Sequence, residues 1–318
     1  MFDNKITMLY NCYHITIIQG GNDMYIERLN CNCRLLDLPI AHKGVFGNTG
    51  HNQILENSLD SINASIKRNI PFEIDIVKTK DNVPIIYHDF TITIGENIFT
   101  ISDLTLNELR ECTKGIIEIS TLEDCIRITK GKVPMVLDFK ETSFFGLNEY
   151  RKNIISLLDK YKEEYAIQSF NPFFVYTMGK NLPKALRGQL ICRGKTLIDT
   201  ITTKHPKFSS NAYEKLMSTI CYIAHADYIG LEVSKNKKWK SKIEKYISDR
   251  TDDVQDAVVE LTSKVTKKPV IGWTLSDLKE LEISPNVFDN YIFEPDTFEN
   301  YNSFAEDIRK NIRKRNNV

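Results

Sequence analysis

PFEIDIVKTKDNVPIIYHD, residues 71–89, is the stretch on which the fold turns. It holds two apolar, β-rich runs, PFEIDIV (71–77) and VPIIYHD (83–89), with only five residues between them. A crossover between parallel strands needs a dozen residues or more, usually a helix. The second run therefore cannot be the next strand of a parallel sheet and is read as an excursion after the first.

Outward from this stretch, further runs of the same kind follow. They are PIAHKG (39–44), VPMVLDFK (133–140), YAIQSF (165–170), GQLIC (188–192), ADYIGLEVS (226–234), KPVIGWTL (268–275) and NYIFEPD (290–296). Between several of them lie segments with apolar residues at three-to-four spacing: ENSLDSINASIKRN, LTLNELREC, STLEDCIRITK and YRKNIISLLDKYKEE. That spacing marks amphipathic helices, and strand–helix alternation marks βαβ units with a parallel sheet. With 83–89 set aside, eight strands remain. The expected fold class is α/β, a closed (β/α)8 TIM barrel with a small excursion after strand 2.

The 318 residues suit such a barrel, roughly 250 residues plus additions, as one domain. Residues 39–318 are assigned to it. Residues 1–38 show no clear period and are read as an N-terminal extension packed on the barrel as a strap or cap. The basic tail RKNIRKRNNV is read as a solvated helix end.

Lys plus Arg equals Asp plus Glu at 42 each, so no general attraction to nucleic acid or anionic membrane is expected. Any phosphate recognition must be local, and no nucleic-acid partner is expected. No run approaches 18 apolar residues, so no transmembrane segment is expected. Seven scattered cysteines are odd in number and too sparse for a disulfide framework. Polar residues interrupt the first twenty positions where a signal peptide needs an apolar core. The expected location is cytoplasmic; the oligomeric state is left open.

Catalytic groups of a TIM barrel gather at the C-terminal strand ends. Strand one ends in His42-Lys43-Gly44, strand two presents Glu73 and Asp75, the excursion ends in His88-Asp89, and strand three carries Asp138 and Lys140. Later strands finish with Ser169, Glu232, Trp273 and Glu294. The i, i+2 spacing puts Glu73 and Asp75 on one face of their strand. Carboxylates without thiolates suit a hard divalent cation, Mg²⁺ or Ca²⁺. Two imidazoles can divide general-acid and general-base work near neutral pH, and lysines can hold phosphate charge. Taken singly, each of these residues has an ordinary structural explanation. Their convergence on one rim is what points to phosphodiester cleavage.

The motifs AHKG, LENSLDSINASI and PFEIDIVKTKDNVPIIYHD closely resemble the signature of the glycerophosphodiester phosphodiesterase family. The similarity continues through ISDLTLNEL, STLEDCI, VLDFK, IQSFNP, LRGQL and VIGWTLSD, covering about residues 39–296. The resemblance implies His42 and His88 as the acid–base pair, with Glu73, Asp75 and Asp138 as metal ligands. It implies Glu56 and Asn57 near the mouth and Lys140 beside the phosphate. Lys43 also falls at a phosphate position, and Trp273 could pack on glycerol or an acyl chain. The family's reaction releases sn-glycerol 3-phosphate and an alcohol, which makes a small glycerophosphodiester the expected substrate.

Four departures from the pattern stand out. Lys43 replaces arginine and loses the bidentate fork. Asp138 replaces glutamate and, one methylene shorter, is expected to reach a cation through water or a backbone shift. The loop from His42 to Glu56 is about five residues longer than usual and contains His51. TITIGENIFTISD replaces the usual block after His88-Asp89. Two other readings stay open: lysophospholipase D-like action, which needs an apolar groove at the rim, and a degenerate barrel that binds a phosphodiester without turnover. His14, His205 and His225 lack partners at ligand spacing and are set aside. GNTG (47–50) is read as a turn.

Overall fold

The computed structural model describes residues 5–10, 13–20, 23–27, 34–143, 146–191, 219–233, 268–278, 288–295 and 297–316; His205 lies outside them. Strands β1 (Lys5–Tyr10), β2 (Tyr13–Gly20) and β3 (Asp23–Glu27) form an antiparallel meander, ordered β1-β2-β3. The sequence reading had found no period in this region. A short helix follows, α1 (Arg34–Asp37).

The barrel opens with β4 (Ile40–Ala41), a hairpin of β5 (Gly47–Asn48) and β6 (Gln53–Ile54), helix α2 (Leu59–Arg68) and β7 (Phe72–Lys78). GNTG is thus a hairpin turn. The excursion comprises β8 (Pro84–Ile86) and a hairpin of β9 (Thr91–Ile94) and β10 (Asn97–Thr100), then helices α3 (Leu106–Cys112) and α4 (Leu122–Thr129). Next come β11 (Met135–Phe139), α5 (Glu149–Leu158), β12 (Tyr165–Ser169), α6 (Pro172–Asn181) and β13 (Leu186–Ile191). The last described elements are β14 (Tyr228–Glu232), β15 (Val270–Leu275), β16 (Asn290–Phe293) and α7 (Tyr301–Asn316).

Eight parallel strands close on themselves: β16 pairs with β4, β4 with β7, and β7 with β11. Strand β8 runs antiparallel to β7, with Ile76 opposite Ile86, so it is the excursion that the five-residue spacing requires. The chain is a (β/α)8 barrel.

The alternation along β7 shows why this sequence closes this way. Phe72, Ile74 and Ile76 are buried in the cluster shared with the helices, whereas Glu73 and Asp75 point inward. Each fully buried side chain of this kind stabilises the fold by about 1.5–3 kcal/mol, so a one-residue slip that turned the acids outward would be prohibitive. At the other end, Leu35 of α1 joins Ile40, Val136, Ala166, Leu186, Tyr228, Ile271 and Ile292 inside the barrel. The buried Asn290 amide donates to the Leu35 and Leu38 carbonyls at 2.8 and 2.7 Å, and the Glu164 carboxylate accepts from Leu35 N. One end of the barrel is therefore plugged, which leaves the C-terminal mouth for chemistry. Among the described residues, no helix is long and apolar enough to cross a membrane.

Candidate active site

The mouth is assembled from the ends of β4, β7, β11 and β16. Beyond β4 the chain turns sharply through Lys43 (φ 55°) and Gly44 (φ 79°). A left-handed backbone at lysine is strained and persists only where the surroundings enforce it. Here they do. The Lys43 carbonyl accepts from Asn57 N at 3.0 Å and from Ser61 Oγ at 3.1 Å, while Val45 N donates to Ser65 Oγ. Gly44 is obligatory in this turn: a Cβ there would lie 2.5 Å from Ser61 Oγ. The same Ser61, with Ser58, forms the capping box that starts α2.

This turn aims the Lys43 amide at the first carboxylate, with N donating to Glu73 Oε2 at 3.0 Å. The Lys43 ammonium swings outward to Glu56, 2.8 Å away. Asn57, also left-handed (φ 50°), clasps Asp75 from both sides. Its Nδ2 donates to Asp75 Oδ2 at 2.8 Å, and its Oδ1 accepts from Asp75 N at 3.0 Å.

Glu73, Asp75 and Asp138 are all buried, and one carboxylate oxygen from each lies within 4.8 Å of the others. Asp138 needs no shift of register to join them: it pairs directly with Asp75 across β11 and β7. The Lys140 ammonium bridges Asp75 Oδ1 at 2.8 Å and Asp138 Oδ2 at 2.5 Å. One positive charge among three buried carboxylates leaves an imbalance, and the titration behaviour records it. Burial, then the neighbouring charges of Asp75 and Asp138, hold Glu73 well above its ordinary range. Burial likewise pushes Asp138 up to about 6, against the pull of Lys140. Burial would raise Asp75 as well, but Lys140 and Asn57 outweigh it and hold the carboxyl low.

A divalent cation fits this arrangement. The donors are all hard oxygens. Asp138 Oδ1 is buried and has no hydrogen-bond partner among the described residues, which is costly unless something else occupies it.

The two histidines stand differently. His42 Nδ1 is 2.6 Å from Glu294 Oε2, and its side chain is 21% exposed. His88 Nδ1 is 2.7 Å from Asp89 Oδ1, and its side chain is 46% exposed. The His88 ring is near enough for its charge to favour the ionised forms of both Asp75 and Asp138. Trp273 packs edge-on against Phe170 at 5.8 Å. His51, by contrast, is exposed on the hairpin loop, and the His225 ring lies against Tyr176 and Tyr222. Glu294 was visible in sequence only as a strand end. Its pairing with His42 across 252 positions has no local signal.

A model of the glycerophosphoryl diester phosphodiesterase family matches residues 42–226, more than half of the chain. Among solved structures, a phosphodiesterase from Oleispira antarctica, in complex with the product sn-glycerol-3-phosphate, is 20% identical with a TM-score of 0.54. The match covers 88% of this chain and 98% of that one. A glycerophosphodiester phosphodiesterase from Parabacteroides distasonis is 17% identical with a TM-score of 0.57, over 88% and 98% of the two chains. One from Thermotoga maritima is 16% identical with a TM-score of 0.54, over 84% and 96%. At these identities the likeness establishes the barrel. No curated protein sequence matches the chain at a significant level.

Proposed function

Because the chain belongs to the glycerophosphoryl diester phosphodiesterase family, and is by that membership a phosphoric diester hydrolase, we propose a specific reaction for it. It hydrolyses glycerophosphodiesters to sn-glycerol 3-phosphate and an alcohol, with His42 and His88 as the acid–base pair. The observation that carries this reading is the buried trio of Glu73, Asp75 and Asp138, whose Asp138 Oδ1 has no hydrogen-bond partner among the described residues. The product named for the Oleispira relative supports the choice of glycerol phosphate.

Glu73, Asp75 and Asp138 would hold a Mg²⁺ or Ca²⁺ ion, which supplies charge for a phosphoryl oxygen as the phosphorus centre becomes more crowded. Asn57 fixes the orientation of Asp75, and the Lys43 amide fixes that of Glu73. Lys140 neutralises part of the acid cluster and presents a cation to the phosphate. Lys43 and Glu56 form the charged lip beside it.

The carboxylate of Glu294 has no hydrogen to give, so Nδ1 of His42 carries the proton in their contact. That leaves His42 Nε2 with its lone pair facing away from Glu294, in the form that accepts a proton. Asp89 holds Nδ1 of His88 in the same way, but with the His88 side chain more exposed, at 46% against 21% for His42. In this reading neutral His42 acts as base toward the attacking hydroxyl, and His88, in its imidazolium form with a second N–H at Nε2, acts as acid toward the leaving oxygen.

The test is product identification. Purified protein incubated with glycerophosphocholine and Mg²⁺ or Ca²⁺ should release glycerol 3-phosphate and choline in equal amounts, and chelator should stop the release. Intact diester binding without turnover under either ion would instead identify a degenerate barrel.

A further inference from the structure

Four neighbouring barrel strands place a row of residues at one level. Asp138 of β11 pairs with Gln168 of β12, Gln168 with Gly188 of β13, and Gly188 with Tyr228 of β14. Tyr228 lies inside the barrel, and the position between it and Gln168 carries no side chain. A Cβ at Gly188 would lie 2.5 Å from the Tyr228 hydroxyl oxygen. Glycine there lets the Tyr228 ring cross β13 and reach a residue two strands away. Its hydroxyl donates to Gln168 Oε1 at 2.9 Å.

That bond decides how the Gln168 amide is turned. The reverse orientation would leave Oε1 beside the Asp138 carboxylate, acceptor against acceptor. With Oε1 taken by Tyr228, Nε2 has no hydrogen-bond partner among the described residues, although Gln168 is only 2% exposed. On the adjacent strand Asp138 Oδ1 is in the same condition, buried and without a partner among the described residues. A buried donor and a buried acceptor thus stand on strands roughly 5 Å apart without bonding to each other. Each carries a desolvation cost that a bound group would remove.

A group that satisfies both must accept one hydrogen bond and donate another. A hydroxyl does this. A phosphoryl oxygen only accepts, and it would bring its charge against Asp138. The phosphate has Lys140 instead, two residues beyond Asp138 along the same inward row. A carboxylate oxygen has two lone pairs, so Asp138 Oδ1 can take a hydroxyl proton and still hold a cation.

We propose that Gln168 and Asp138 form a subsite for a free hydroxyl of the substrate's glyceryl group, with Tyr228 as the positioning residue that presents the Gln168 N–H. Gln168 is then a specificity-determining residue, favouring glyceryl phosphates over alkyl phosphates that lack the hydroxyl. The proposal rests on the diesterase reading above for the identity of the ligand.

The test is calorimetric titration of the protein, loaded with Mg²⁺ or Ca²⁺, with glycerol 3-phosphate and with n-propyl phosphate, which has the same carbon chain but no hydroxyl. Glycerol 3-phosphate should bind at least about tenfold tighter, the scale of satisfying a buried donor and acceptor. Gln168→Met, similar in size but unable to donate, should bring the ratio toward one by weakening glycerol 3-phosphate alone. Tyr228→Phe, which keeps the Gln168 amide but not its orientation, should give an intermediate ratio. A merely structural role would weaken both ligands together. Equal affinities in the wild type, an unchanged ratio in either variant, or equal weakening of both ligands overturns the proposal. Gln168-dependent preference for glycerol 3-phosphate without hydrolysis of glycerophosphocholine would uphold the subsite and defeat the diesterase reading instead.

Discussion

Glu294 Oε2 lies 2.6 Å from Nδ1 of His42, although 252 positions separate the two residues. The contact joins the last barrel strand to the first and occupies one of the two imidazole nitrogens, leaving Nε2 for other partners. Glu294→Gln keeps the size of the side chain but lets the amide donate to Nδ1, which favours the wrong tautomer. We expect kcat to fall about tenfold to hundredfold with KM little changed, and Glu294→Asp to restore part of the loss. Equal kcat for Glu294→Gln and wild type would remove the carboxylate from the account.

Asn57 makes its two bonds to Asp75 from a left-handed backbone. Partners that orient metal ligands typically contribute tenfold to hundredfold in metal affinity. Asn57→Gly, which keeps the backbone geometry, should weaken divalent-cation binding by about that factor in calorimetric titration. Asn57→Ala should do the same and also lose about 1 kcal/mol of stability to backbone strain. Unaltered cation affinity in the glycine variant would show that Asp75 needs no such clasp.

The acid trio couples stability to pH. Asp138 is pushed up to about 6 from 3.8, and Glu73 is raised as well. Both carboxyls hold a proton more tightly in the fold than in the unfolded chain, so their contribution is complete below their ordinary values and is lost as pH rises through about 6. Asp75 works the other way, since Lys140 holds it low. A cation competes with those protons. The rise in Tm on adding Mg²⁺ or Ca²⁺ to chelator-treated protein should be large at pH 7.5 and shrink as pH falls through about 6. A rise that is equal at pH 5 and 7.5 would contradict this electrostatic picture.

Gly44 has no room for a Cβ and sits at φ 79°. Gly44→Ala must both strain the backbone and displace Ser61 from the start of α2. A loss of about 1–3 kcal/mol is expected in denaturant titration. A neutral effect would mean that the Lys43–Gly44 turn is softer than its hydrogen bonds imply.

How much of this was legible beforehand follows from the range over which each signal acts. Five residues between PFEIDIV and VPIIYHD were enough to assign β8 as an excursion, because chain length alone forbids a crossover. The i, i+2 spacing of Glu73 and Asp75 placed both acids on one face because strand alternation is rigid, and both are buried. The meander of β1 to β3 was missed: its alternation is too weak to stand out from a loop. The α1 plug was missed for another reason, since four residues cannot show a helical period and Asn290 reads as a surface amide. Asp138 was read as one methylene shorter than the residue it replaces; its register with Asp75, which sets it beside the other two acids, could not be read from one strand alone. Glu294 was visible only as a strand end, because what gives it meaning is a partner on a distant strand.

The central claim is that the two imidazoles divide one proton-transfer task beside the acid trio. It is tested most directly by the rate of glycerol 3-phosphate release from glycerophosphocholine in His42→Ala and His88→Ala, under saturating divalent ion and with folding verified by Tm. Each variant should lose at least ~10²-fold in kcat, the usual scale for removing a general acid or base. The double variant should lose little more than the worse single. Full rates in either single variant would contradict the account.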